Sequence, residues 1–271
     1  VTLPRLDVDL ACRSCGYDLR GVAVDGRCPE CGTPALASVL DRADHAAARL
    51  PPLDRPWLAG AALATCVASL SAGTMLHFAI DLAGHPGRDA TLRSVAAGCA
   101  ITSLVSGLAM AGRFGSRHRR ARRVFAIALA GWTAAVLAER LQPSLPAGLV
   151  MIATSIAVWT MRPLLEALGQ RSVRFRREGP ARQRIGTLAI GAAVAGTSGL
   201  ANALLPSTIS TGDSPWIDPL PLLAATVGGL ACVGLLYLSA NAVLIARSLT
   251  DVVIDPDRFI EGQHDRSKRP D

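Results

Sequence analysis

Lysine is almost missing from this chain. Lys268 is the only one in 271 residues, so nearly all of the basic charge behind the net +7 is arginine. With no other lysine there is no Gly-x-x-x-x-Gly-Lys phosphate loop, and the Gly-x-Gly-x-x-Gly fingerprint and the His-Glu-x-x-His zinc-protease helix are absent too. Aromatic residues make up only 4%, and only Phe114 and Phe175 interleave the arginine runs. A nucleic-acid stacking platform needs more rings than that. Charged residues are 18% of the chain, below the roughly 25% of an ordinary soluble domain. The first ten residues contain no apolar core of a signal peptide, so none is expected there. Ionisable residues also avoid the middle of the long apolar runs. Asp81, Arg93, Glu139, Arg140 and Arg162 stand at run ends, and His77 lies about one turn from the end of the first run. His77 is expected to be a satisfied or interfacial histidine. A proton-driven pump carries such groups within its spans, so the pattern argues against that class.

The chain is instead half apolar, dominated by Ala, Leu, Val and Gly. Crossing about 30 Å of hydrocarbon takes about 20 apolar residues. Six runs come close to or exceed that length: 57–80, 92–111, 124–141, 145–161, 185–205 and 220–246. The fourth is short unless it continues past Arg162-Pro163 to Leu168 with Arg162 snorkelling. The tight Gln142-Pro143-Ser144 turn makes the third and fourth runs an antiparallel hairpin. Gly191, Ala195 and Gly199 recur every fourth residue, and Gly98, Gly228 and Gly229 fall in other runs; small residues of this kind mark close-packing faces. Asn202 and Asn241 are expected to bond between helices.

The loops orient the bundle. Arg113, Arg117, Arg119, Arg120, Arg122 and Arg123 separate the second and third runs. Arg162, Arg171, Arg174, Arg176, Arg177, Arg182 and Arg184 separate the fourth and fifth. The loops on the other side hold Arg88 and Arg93, Arg140 alone, and, over residues 206–219, Asp213 and Asp218 without any base. Arginine therefore alternates with each crossing, which by the positive-inside rule predicts both termini in the cytoplasm of a bacterial inner (plasma) membrane. The arginine loops are read as topology signals and headgroup contacts, worth about 1 kcal/mol per residue near the surface, and nucleic acid is not favoured.

Ahead of the spans, Cys12-Arg-Ser-Cys15-Gly16 and Cys28-Pro-Glu-Cys31-Gly32 form two Cys-x-x-Cys pairs, each followed by glycine. Each pair sets two thiolates on one side of a tight turn, and the glycine lets the backbone curl so that N–H groups aim at the sulfurs. Two such knuckles complete a tetrahedral all-sulfur shell that suits one structural Zn2+ held by Cys12, Cys15, Cys28 and Cys31. About 30 residues bury too little apolar surface to fold alone, so the metal is expected to supply the folding free energy. Iron in the same four sulfurs and two disulfides stay open as alternatives; the expected cytosolic location weighs against the disulfides. Cys66, Cys99 and Cys232 fall inside apolar runs and are read as small hydrophobes.

The run Cys12-x-x-Cys15-Gly-Tyr17-Asp18-Leu19-Arg20-Gly followed by Cys28-Pro-Glu-Cys31-Gly resembles the N-terminal zinc ribbon of a group of uncharacterised bacterial multi-pass membrane proteins. The likeness covers about the first 35 residues. It implies a ribbon fold with the four cysteines as ligands, and it implies no reaction. Tyr17 and Leu19 are expected to pack on the ribbon, and Asp18 and Arg20 to lie at its surface or in a turn.

The expected organisation is an all-α polytopic membrane protein of about six transmembrane helices with a small N-terminal zinc ribbon. Residues 1–35 form the ribbon and 36–56 a linker, with a short amphipathic helix in which Leu36, Leu40, Ala43 and Ala47 share one face. Residues 57–247 form the bundle and 248–271 a polar cytoplasmic tail. No catalytic constellation is present. Gly196-Thr-Ser198-Gly199 resembles the Gly-x-Ser-Gly of rhomboid-type intramembrane proteases, but no histidine follows on a later span to serve as base. The chain is therefore expected not to be an enzyme. Its partners are expected to be the lipid bilayer and a protein docked at the ribbon, which makes it an interaction or scaffold module; the alternative is a small-solute transporter or channel that the ribbon regulates.

Overall fold

The computed structural model describes residues 5–42, 50, 53, 55–83, 89–115, 118–142, 148–171, 185–204 and 219–249. The N-terminal unit has no named strand among these residues. Three isolated antiparallel bridges, Arg5 to Ala23, Ala11 to Asp18 and Arg27 to Pro34, hold it instead. A short helix, α1 (Ala35–Arg42), follows directly. Leu6, Leu10, Leu19, Val24, Ala35 and Val39 form its apolar core together with Cys12 and Cys28.

Two details add to the sequence pattern. The buried face of α1 is Ala35, Ser38 and Val39, which pack on the ribbon, whereas Leu36 and Leu40 are 46% and 61% exposed. Small residues sit inward because the ribbon backbone comes close: the Arg13 N–H donates to Ser38 Oγ at 3.1 Å. Ala43 and Ala47 lie outside the described residues. Leu19 is fully buried as expected, but Tyr17 is 43% exposed.

Six long helices follow: α2 (Pro56–Ala83), α3 (Asp89–Gly112), α4 (Arg119–Leu141), α5 (Gly148–Gly169), α6 (Ile185–Leu204) and α7 (Pro219–Ser248). All six are long and apolar enough to cross a membrane, and the chain is a multi-pass membrane protein. Proline stands at the first position of α2 and α7, where its missing N–H costs nothing and its fixed φ suits the helix. α5 does run through Pro163 to Gly169, and Arg162 at that point pairs with Glu166 at 2.7 Å.

Each helix packs on the next, and α7 returns to pack on α2, so the six close into a ring. α2 also touches α5 across the middle. Neighbours run antiparallel: Gly60 near the start of α2 lies against Ala246 near the end of α7, while Phe78 near the end of α2 lies against Gly228 near the start of α7. Trp132, Phe125, Leu129, Leu70, Met110 and Met161 fill the interior with no exposure or almost none. A β-carbon on Gly148 would overlap the Gly196 carbonyl oxygen, so α5 and α6 meet backbone to backbone there. Gly191, Gly98 and Gly229 have open space where a β-carbon would stand; the close approach is made by Gly148 and Gly196 instead.

Hydroxyl groups tie the interior together. The Trp132 indole donates to Thr154 Oγ1 at 3.0 Å, and Thr154 and Thr74 share a hydrogen bond of 3.0 Å. Ser239 donates to Ser71 Oγ at 2.9 Å. In hydrocarbon such bonds are worth about 0.6–2 kcal/mol each. Arg113, Arg119, Arg120, Arg122, Arg123 and Arg247 fall at the helix ends on the side where the ribbon joins, and Arg162 lies about two turns before the end of α5 on that side. At the opposite end the described arginines are Arg93 and Arg140.

Candidate metal centre

The two Cys-x-x-Cys turns have the same backbone. Gly16 and Gly32 adopt φ of 78° and 71°, the left-handed region that glycine enters without a steric penalty. The Gly16 N–H donates to the Cys12 carbonyl at 2.9 Å, and the Gly32 N–H to the Cys28 carbonyl at 2.9 Å. Cys12 N–H then bonds Tyr17 O, and Cys28 N–H bonds Thr33 O. Each knuckle is thus a closed turn, and the two repeat one another bond for bond.

The turns face each other through their sulfurs. Cys12 Sγ lies 3.6 Å from Cys31 Sγ, and Cys15 Sγ lies 3.6 Å from Cys28 Sγ. All four sulfurs are within 4.8 Å of one another. Four sulfurs at about 2.3 Å from one tetrahedral ion stand about 3.8 Å apart, so the set has the dimensions of such a shell. A disulfide needs about 2.05 Å, and the four cysteines are unbonded. Cys12 and Cys28 are buried and Cys15 and Cys31 exposed. The group can bind a metal ion, and it is the only cluster of three or more His, Cys, Asp or Glu side chains among the described residues with that capacity.

The electrostatics agree with a cation at the centre. The N–H groups of Ser14 and Cys15 point at the Cys12 sulfur and hold its thiol down at about 6, against an ordinary 9.0. The Thr33 hydroxyl and N–H lower the Cys31 thiol in the same way. For Cys15, the Tyr17 N–H also favours the thiolate. Partial loss of solvation inside the cluster and the neighbouring sulfurs of Cys31, Cys28 and Cys12 outweigh it and push that thiol up to about 12. The backbone thus prepares anions that repel each other, and a doubly charged ion among them removes the repulsion.

The surrounding residues brace the turns. Arg20 pairs with Asp9 at 2.9 Å on the surface, and its N–H bonds Asp18 Oδ1. Both residues lie at the surface, as expected. In the bundle, the Ser198 hydroxyl donates to the Val194 and Ala195 carbonyls of its own helix at 2.7 and 3.1 Å. Asn241 is buried, and Asn202 is exposed at the end of α6.

One group differs from the expectation for span-end residues. His77 and Glu139 are both buried, and His77 Nδ1 lies 2.8 Å from Glu139 Oε2. Glu139 stands two residues before Leu141, the end of α4, but points inward, because Trp132 and Val136 on the same helix are buried and place position 139 on their face. That periodicity was the available signal; the pairing with α2 had none.

No family model matches this chain, and no curated protein and no solved structure is significantly similar to it, so its likeness to zinc-ribbon membrane proteins rests on the cysteine motif alone.

Proposed function

We propose that Cys12, Cys15, Cys28 and Cys31 hold one structural Zn2+ and that the ribbon they fold is a docking module for a protein partner, anchored by the bundle at the cytoplasmic face of the inner membrane. The observation that carries this reading is the all-sulfur tetrad itself, four Sγ atoms within 4.8 Å of one another. Four thiolates fill a tetrahedral zinc shell and leave no position for water or substrate, which suits a structural ion and not a catalytic one. The arginine-rich helix ends lie on the side of the ribbon. By the positive-inside rule that side is cytoplasmic, where thiols stay reduced.

The test is elemental analysis of the detergent-purified chain beside a Cys28→Ser, Cys31→Ser variant, followed by crosslinking in native membranes. The expected result is one zinc per chain, absent from the variant, and a crosslinked partner that requires the intact ribbon. Iron in place of zinc would turn the reading towards electron transfer. A full zinc complement without any ribbon-dependent partner would remove the docking role.

A second reading, passage of a small solute through the bundle, draws on one observation. A cavity of about 340 Å³ at the arginine-poor end is lined by Asp81 and Asn202 among apolar residues. Uptake assays in proteoliposomes address it.

A further inference from the structure

We propose that His77 and Glu139 form a proton-binding site inside the bundle, open towards the arginine-poor side and blind towards the other.

The pair is placed where packing does not require it. His77 is on α2 and Glu139 on α4, and these helices are not neighbours in the ring; α3 stands between them on one side and α5 on the other. Their side chains are 5% and 9% exposed. Burying two ionisable groups costs several kcal/mol per ion, and in a membrane such groups mark pathways and proton relays. Apolar side chains at both positions would fill the space without that cost. The contact is also incomplete. Nδ1 and Oε2 are 2.8 Å apart, yet Oε2 lacks an aligned hydrogen bond, and His77 Nε2 has no partner among the described residues. A buried imidazole nitrogen with no partner retains an unused position for a proton.

Three charged side chains lie around the pair: Asp81, Arg93 and Arg140. Asp81 follows one turn later on α2, near enough to feel both His77 and Glu139. Arg93 on α3 reaches the Glu139 carbonyl at 3.4 Å, and Arg140 on α4 is held by Ser94. Among the described side chains, α5, α6 and α7 present no charged group at this end. One proton on the His77–Glu139 couple makes the couple neutral. Hydronium from the arginine-poor side delivers a second proton to the couple and leaves as water; the couple then carries one positive charge and loses its internal attraction. Loss of the first proton leaves a lone buried carboxylate.

Among the described residues, access is from one side only. Asp81 lines the cavity of about 340 Å³ between α2, α5, α6 and α7, so solvent can come within one turn of His77. In the other direction the next polar groups are Thr74, Thr154 and Trp132, which bond one another, and Thr133, whose hydroxyl donates to the Leu129 and Ala100 carbonyls. Beyond them lie Phe125, Leu129, Leu70 and Leu63, all fully buried, and the Ser71 and Ser103 hydroxyls, which donate to the Leu235 and Cys66 carbonyls. None of these accepts a proton from the couple, so the site senses protons without conducting them.

The test is infrared difference spectroscopy of the full chain in nanodiscs, between mildly alkaline and mildly acidic pH. A protonated-carboxyl band is expected in the native chain, lost in Glu139→Gln, shifted in His77→Gln and retained in Asp81→Asn. A variant keeping Trp132 as its only tryptophan should change emission with the same midpoint. Proteoliposomes carrying an internal pH dye should show no more proton flux than empty vesicles. Absence of the carboxyl band in the native chain overturns the proposal however the variants fold. A band lost in Asp81→Asn and kept in Glu139→Gln moves the proton elsewhere and overturns it too, and sustained flux overturns the blind end.

Discussion

The ribbon and the bundle solve the same problem with opposite means. The ribbon has eight buried residues in its core, two of them cysteines, and three isolated bridges in place of a sheet. The bundle has several times that core, spread over six long helices. One is too small to hold itself together and depends on what its sulfurs bind; the other depends on how closely its backbones approach. Damage to either should therefore leave the other standing.

The strongest way to break that contrast is to take the metal away. Structural zinc is worth on the order of 10–16 kcal/mol in small motifs. Chelation, or Cys28→Ser with Cys31→Ser, is expected to open the ribbon to protease while the helical circular dichroism of the bundle stays intact; loss of both together would show the two regions to be one folding unit. Leu19→Ala, at a fully buried ribbon position, should cost about 2–5 kcal/mol. It is expected to weaken metal retention in a chelator competition without moving the bundle's melting temperature. In the bundle, Gly148→Ala should cost about 1–3 kcal/mol or more, because its β-carbon has no room against Gly196. Gly191→Ala, with open space around it, should be neutral or slightly stabilising, and thermal melts in detergent with zinc content unchanged would show the difference. Thr154→Val removes the acceptor of the Trp132 indole and should cost about 1 kcal/mol, with a shift in Trp132 emission. The smallest effect belongs to Arg20→Ala, whose pair with Asp9 is exposed: under about 1 kcal/mol, and weaker still in high salt.

Much of this architecture could be read in the residues. Length and apolarity mark the spans, because a bilayer imposes both on any helix that crosses it. The cysteine spacing marks the tetrad, because a Cys-x-x-Cys-Gly turn brings its own two sulfurs together locally. What escaped was everything that depends on contact between distant segments. Glu139 reads as a terminal residue until α2 places His77 against it. Gly148 stands alone in the sequence, and only α6 shows that it is the point of closest approach. The inward face of α1 was not legible either: Ala35, Ser38 and Val39 pack on the ribbon, while Leu36 and Leu40 share the exposed face.

Consider last how α2 is held. Ser71, Thr74 and His77 lie three residues apart, so each is turned by about 60° from the one before. Their partners fan out accordingly, to Ser239 on α7, Thr154 on α5 and Glu139 on α4. The helix behaves as a spindle pinned at three heights in three directions. It cannot roll about its own axis without releasing all three at once. Because α2 is also the span that follows the ribbon, its heading at the membrane surface is fixed by contacts buried well inside.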